Sequence, residues 1–224
     1  MENGAFVEIE YTGRIKETGE IFDLTDEKTA KEHKIYNPKT KYGPVTIIIG
    51  ENMILKGVEE TIKTMKPGDT KKTTLDPEHA FGKRDPNLLK VFSLSRFQKQ
   101  RIHPVVGQFI TLSNNLSGRV VSVSAGRVKM DFNHPLSGKT LVYDIKLNTE
   151  IKEPSKKIEF MLTGLLGYDK KDTEIAISGE SAKLSLPNAA KLSTEIKSKI
   201  SEQLKKYIPE LKEIEISEKS DKNP

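Results

Sequence analysis

The chain has 224 residues, of which 35% are hydrophobic and 31% charged, with 6% aromatic residues, no Trp and no Cys. That is enough apolar material for one or two domains with ordinary cores, and too much for a disordered chain. The missing cysteine excludes disulfides, zinc ribbons, iron–sulfur clusters and a thiol nucleophile. His33, His79, His103 and His134 are scattered without ligand spacing, so no metal or other cofactor is expected. No apolar run approaches ~18 residues, the least a membrane-spanning helix needs. The opening MENGAFVEIEYTG lacks the basic and apolar regions of a signal peptide. A cytoplasmic protein without a membrane partner is the expectation.

The net charge of +5 is local. Residues 85–131 carry seven basic side chains (Lys90, Arg96, Lys99, Arg101, Arg119, Arg127, Lys129) against Asp85 and Asp131, while the rest of the chain balances. The same segment holds Leu88, Leu89, Val91, Phe92, Leu94 and Phe97. A cationic, apolar-rich segment is a candidate binding surface; it is equally what a small folded module with a solvated basic face would look like. It has no RNA- or DNA-binding signature, so nucleic acid is not an expected partner.

In chain order, residues 5–15 alternate Phe6, Glu8 and Glu10 against Val7, Ile9 and Tyr11, the pattern of a half-buried strand. A turn at 17–20 leads to a short strand at 21–23. Residues 24–44 read as a long polar loop, and 45–49 as a β-branched strand. Met53, Ile54, Val58, Ile62 and Met65 recur at helical spacing, predicting a helix over 53–65. Residues 70–75 are a strand closed by Asp76–Pro77. Short alternating runs over 105–131 suggest a small all-β unit, and 140–147 is again a strand. Residues 153–155 read as a linker. Beyond it the pattern predicts strands at 157–162, 173–178, 181–186 and 211–217, a helix over 188–207 capped by Asn188, and a polar tail. About 70 residues with one helix is a marginal core, which would lean on a neighbour or on a second copy.

No nucleophile-with-base pattern, P-loop or dinucleotide motif is present. What stands out is an ordered series: VEIEYTGRI at 7–15, IFDLT at 21–25, IIIGENMILKGVEETIKTMKPGD at 47–69, PEHAFG at 77–82 and NHPLSGKTLVYDIKL at 133–147. This series resembles the FKBP-type peptidyl-prolyl isomerases over residues 5–150. The break after Phe81–Gly82, followed by DFNHPLSGKTL, resembles the SlyD-like branch, which carries an insert in its flap. Long archaeal members also carry a C-terminal extension.

The resemblance implies an α+β fold: an antiparallel FKBP-type sheet wrapped on one short helix, with a small all-β insert domain and a small α+β C-terminal domain. It implies an isomerase domain of 1–84 plus 132–152, an insert-in-flap chaperone domain of 85–131 and a C-terminal domain of 153–224. The substrate pocket would use Tyr11, Phe22 and Asp23, Val45 and Ile47, Ile54 and Leu55 at the helix start, Val58 at the floor, Phe81, and Tyr143. Val45 stands where many members have an aromatic residue, Val58 where eukaryotic members place Trp, and Phe81 where many have Tyr. Phe81 lacks a hydroxyl that in many members donates to a substrate carbonyl, a loss of roughly 0.5–1.5 kcal/mol. Taken singly, each of these residues would be ordinary core or turn in a small β-plus-helix domain.

By the same resemblance, Leu88, Leu89, Val91, Phe92, Phe97 and the strands of 105–131 would form a groove for unfolded chain. The implied partners are unfolded or nascent polypeptides and proline-containing peptides, with the C-terminal domain a candidate for homodimerisation or for client or ribosome binding. The His-rich metal-binding tail of bacterial relatives has no counterpart in SEKSDKNP. A second reading, of another class, is a holdase chaperone with a weak or vestigial prolyl site.

Overall fold

The computed structural model describes residues 1–112 and 115–219; the end of the expected polar tail, from Ser220 on, lies outside them. The chain packs as two compact units. One comprises Met1–Thr12, Asp23–Lys72 and Asp144 onward; the other comprises Gly13–Phe22 and Thr73–Tyr143.

The strands and helices are β1 (Phe6–Ile15), β2 (Ile21–Leu24), α1 (Glu27–Glu32), β3 (Val45–Ile48), α2 (Lys56–Lys63) and β4 (Thr70–Leu75), then β5 (Leu89–Ser93), α3 (Leu94–Lys99), β6 (Phe109–Thr111), β7 (Ser117–Ser124) and β8 (Arg127–Asp131). Next come β9 (Leu141–Ile151), α4 (Pro154–Phe160), β10 (Glu174–Ser178), β11 (Ser181–Leu186), α5 (Thr194–Tyr207) and β12 (Glu213–Glu218). The result is a mixed α+β fold, as expected. Its first sheet runs β2–β1–β9–β4, with β3 also paired to β1.

In the larger unit, β1 and β3 pair antiparallel with Phe6 opposite Ile48 and Ile9 opposite Val45. Residues 24–44 are not one long loop. Asp26 takes the N-cap position and accepts from the Thr29 N–H at 2.7 Å, so a short helix forms within the polar stretch. The helix expected over 53–65 is shorter, starting at Lys56 and burying Val58 and Ile62.

The C-terminal part departs further from the sequence pattern. Residues 154–160 form a helix, not a linker followed by a strand, and the turn continues as a π-helical segment over 161–165. Pro154 sits at the first helical turn, where its missing N–H costs nothing. Ile158, Met161 and Leu162 then fall on one buried face at helical spacing. A Cβ on Gly164 would stand 2.7 Å from the Phe160 ring, which is why the segment passes there as glycine. Asn188 does not cap a helix: its φ is 59° with no cap bond, and Ser193 caps α5 instead, accepting from the Ile196 N–H. β10 and β11 form an antiparallel hairpin. β12 returns parallel to β11 after the α5 crossover, which parallel pairing requires.

This part does lean on a neighbour, and the neighbour is the start of the same chain. Phe6 and Ile48 share one core with Ile158, Leu162, Leu184, Leu186, Leu204 and Ile208. Phe6 was expected on the polar face of its strand, yet it is fully buried, edge-on to Phe160 and to Tyr207 at 6.0 Å each. Such ring pairs each contribute about 0.5–1.5 kcal/mol beyond burial.

In the other unit, the four-stranded sheet β5–β8–β7–β6 covers its own core of Phe97, Ile110, Leu112, Val120, Val128 and Met130. It is not purely β, because α3 seats Phe97 in that core. β7 and β8 join through Ala125–Gly126, both at positive φ (47° and 71°), the turn that matches strand twist in a two-residue hairpin.

Candidate functional site

The candidate pocket residues fall into two groups, joined through the Phe22–Asp23 peptide. In the larger unit, the Tyr11 hydroxyl donates to Asp23 Oδ2 at 2.9 Å. Around this pair the backbone is tightly set. The Tyr11 N–H donates to Thr25 Oγ1 at 2.9 Å and the Thr25 N–H to the Tyr11 carbonyl at 3.0 Å. Thr25 is only 4% exposed, so those bonds are what make its burial tolerable. The Thr25 carbonyl accepts from the Gly43 N–H at 2.8 Å, closing the 26–42 excursion beside Val45. The Asp26 carboxyl that caps α1 there lies below the usual carboxylate range, chiefly because the Thr29 hydroxyl and N–H donate to it.

Val45 is half-buried and Ile47 buried on β3. Ile54 and Leu55 are half-buried, and the Leu55 carbonyl accepts from the Val58 and Glu59 N–H groups, so it starts α2. Val58 is wholly covered at 0% exposure.

In the second unit, Phe22, Phe81 and Tyr143 come together as rings. Phe22 meets Tyr143 edge-on at 5.7 Å and Phe81 edge-on at 6.5 Å. Gly13 lies against two of them: a Cβ there would stand 2.7 Å from Phe22 Cζ and 3.1 Å from Tyr143 Cε1. The glycine of YTGR therefore makes room for the ring cluster, a role that its motif alone did not reveal. Phe81 is carried on a short turn whose Gly82 has φ 78°. Its carbonyl accepts from Ser137 Oγ at 3.0 Å, and the Gly82 carbonyl from the Gly138 N–H at 2.8 Å. A Glu78–Lys83 ion pair braces the turn and holds the Glu78 carboxyl below its ordinary range. His134 stacks face to face on Phe81, with centroids 4.3 Å apart and planes 6° apart.

Of the candidate insert residues, Val91 is 59% exposed, Leu88 is 38% exposed, and Leu89 is half-buried. Phe92 packs against the core, and Phe97 is in it at 1% exposure, so Phe97 holds the sheet together rather than facing a ligand. Sequence reading missed the outward positions: Val105, Val106 and Phe109 are each more than half exposed, and Val121, at the bulge in β7, is 42% exposed. The register places Phe109 beside Arg119 and Val91 beside Lys129. This sheet face is therefore apolar with cations interleaved. Elsewhere, Leu165, Leu166, Ile196 and Ile200 line an apolar groove of about 400 Å³ between the 161–165 segment and α5.

A short-type peptidyl-prolyl cis-trans isomerase of Methanocaldococcus jannaschii is 32% identical over 147 residues, covering 66% of this chain and 92% of that protein. The chain belongs to the FKBP-type peptidyl-prolyl cis-trans isomerase family. An FKBP-type 16 kDa isomerase of Escherichia coli is 28% identical over 126 residues, covering 54% of this chain and 81% of that one. The FKBP-type isomerase SlyD of Helicobacter pylori is 26% identical over 149 residues, 66% of this chain and 72% of its own. Residues 90–136 match the family described as FKBP26, IF domain, a span that includes all of the four-stranded sheet but Leu89. Among solved structures, the N-terminal domain of FKBP42 from Arabidopsis thaliana is 11% identical with a TM-score of 0.35, covering 68% of this chain and 76% of that one. A likeness that slight adds nothing to the assignment. Among the described residues, no helix is long and apolar enough to cross a membrane.

Proposed function

We propose that the protein accelerates cis–trans isomerisation of Xaa-Pro bonds in unfolded chains, and that its insert holds those chains while it does so. The observation that carries the reading is the ring cluster of Phe22, Phe81 and Tyr143. Peptide-bond rotation faces a barrier of ~18–20 kcal/mol because resonance keeps the bond planar. Unaided Xaa-Pro isomerisation takes ~10–100 s. No covalent step is needed to shorten it. A dry wall of rings disfavours the charge-separated planar form relative to the twisted one, and it grips the pyrrolidine ring. Asp23 supplies the polar group that orients the peptide. On this reading Val45, Ile47, Ile54, Leu55 and Val58 shape the apolar surroundings.

The functional division follows the family: 1–84 with 132–152 for isomerisation, 85–131 for chain binding, and 153–224 as a stabilising C-terminal part that is also a candidate dimer interface. The organisation is that of long SlyD-like members, acting in the cytoplasm on nascent or unfolded polypeptide. The insert's outward Val91, Phe109 and Val121 would take apolar segments, and its edge strands would pair with extended backbone. Its positive surplus would favour acidic clients.

The test compares wild type with Asp23→Ala on a short Xaa-Pro peptide and on the proline-limited refolding of a protein. Wild type should accelerate both, and Asp23→Ala should lose at least about tenfold, the worth of a charged hydrogen-bonding group. The exposed apolar face of the insert favours one second reading, a holdase with a vestigial prolyl site. Suppressed aggregation without acceleration of either substrate would establish that reading instead.

A further inference from the structure

We infer that His134 is a further substrate-contacting residue of the proposed proline site, donating a hydrogen bond from Nε2–H to a peptide carbonyl beside the Phe81 ring. The inference rests on the isomerase reading and adds a residue to it.

The imidazole lies parallel to Phe81 at 4.3 Å, so it extends the wall formed by Phe22, Phe81 and Tyr143. Its tautomer is set locally: the Leu136 N–H donates to Nδ1 at 3.2 Å, so the proton of the neutral ring is on Nε2. His134 is exposed, so the imidazole is within reach of a ligand and is not spent on satisfying a core.

The stack is also held in place. The Ser137 N–H donates to the His134 carbonyl at 2.9 Å, while Ser137 Oγ and the Gly138 N–H bind the Phe81 and Gly82 carbonyls. The His134–Gly138 turn is thereby hooked onto the turn that carries Phe81. Phe81 itself offers no donor, and a bound peptide carbonyl facing an all-carbon ring would lose its water without replacement. An N–H donor fixed on that ring restores the lost bond and orients the peptide for twisting.

The test measures kcat/KM of the full-length protein on a short Xaa-Pro peptide for three variants. His134→Phe keeps the stacked ring and removes the donor; kcat/KM should fall about tenfold. Phe81→Tyr added to His134→Phe places a hydroxyl on the adjacent ring and should recover most of the loss. His134→Gln keeps an N–H donor without the aromatic ring and should fall less than His134→Phe. An unchanged rate in His134→Phe, with wild type active, overturns this inference alone. A loss that neither Phe81→Tyr nor Gln relieves assigns His134 to stiffening the Phe81 turn and overturns the donor role. A wild type without activity on any Xaa-Pro substrate overturns the isomerase reading and this inference with it.

Discussion

The insert sheet β5–β8–β7–β6 and the C-terminal sheet β10–β11–β12 each bury one face on an apolar core, and they differ in what the other face presents to solvent. On the insert sheet, Val91, Phe109 and Val121 point outward among Arg119 and Lys129. On the C-terminal sheet, Ala176, Lys183 and Glu215 stand side by side, and Lys183 pairs with Glu215 at 3.3 Å. The charges match this difference: the insert holds the whole excess of the chain, while the C-terminal part balances. Strand alternation fixes which face is buried in both sheets. Among the described residues, the solvent face of the insert sheet carries several large apolar side chains and that of the C-terminal sheet carries Ala, Ser, Lys and Glu, and clustered outward apolar residues mark an interaction surface. The cores differ as well. The insert keeps its own, whereas the C-terminal sheet shares its core with Phe6 and Ile48.

The largest effects should come from those cores. Leu184→Ala and Met130→Ala should each cost about 2–5 kcal/mol, measured by denaturant unfolding. Hydrogen exchange should separate them. Leu184→Ala should deprotect the amides of Phe6 and Ile48, whose core it shares, and Met130→Ala should deprotect only the insert. Exchange at Phe6 that ignores Leu184→Ala would show that the shared core is not a cooperative unit.

Next in size is the outward face. Phe109→Asp combined with Val91→Asp should weaken suppression of aggregation of an unfolded protein at least about tenfold, since each change removes ~1.5–3 kcal/mol of apolar burial on binding. Ala176→Asp on the C-terminal sheet should leave it unchanged. Equal losses from both sheets would erase the contrast.

Helix caps sharpen the comparison at smaller scale. Ser193 accepts from the Ile196 N–H, so Ser193→Ala should cost about 1 kcal/mol. Ser93, at the corresponding position of α3 in the insert, makes no such bond, so Ser93→Ala should change thermal stability by only a few tenths of a kcal/mol. An effect of similarly small size belongs to the exposed pair on the C-terminal sheet. Glu215→Gln should shift stability by roughly 0.2–1 kcal/mol, and added salt should abolish the difference.

Local pattern carried much of the fold. The strands at 6–15, 70–75, 174–178 and 181–186 follow directly from alternation and turn residues, as does β9 up to Leu147; its last four residues, 148–151, do not. The family motifs also contain the rings of the proposed site, Phe22, Phe81 and Tyr143. The misread segments share one cause. Residues 157–162 alternate well enough to read as a strand, and only the covering surface of Phe6, Leu184 and Leu204 selects the helical face of Ile158, Met161 and Leu162. Asp26 and Ser193 could be recognised as caps only once helices were known to follow them.

For this protein, the sequence by itself determined the family, the order of most strands and the position of the charged, apolar-rich insert, because those depend on residue type and short spacing. Tertiary structure decided the rest. It buried Phe6 and Phe97, left Val105, Val106 and Phe109 outside, and laid His134 on Phe81 across 52 intervening residues. Periodicity records which side of an element is apolar. Which of those sides meets a neighbour, and which ring ends on which, depends on contacts between residues far apart in the chain, and these have no local signature.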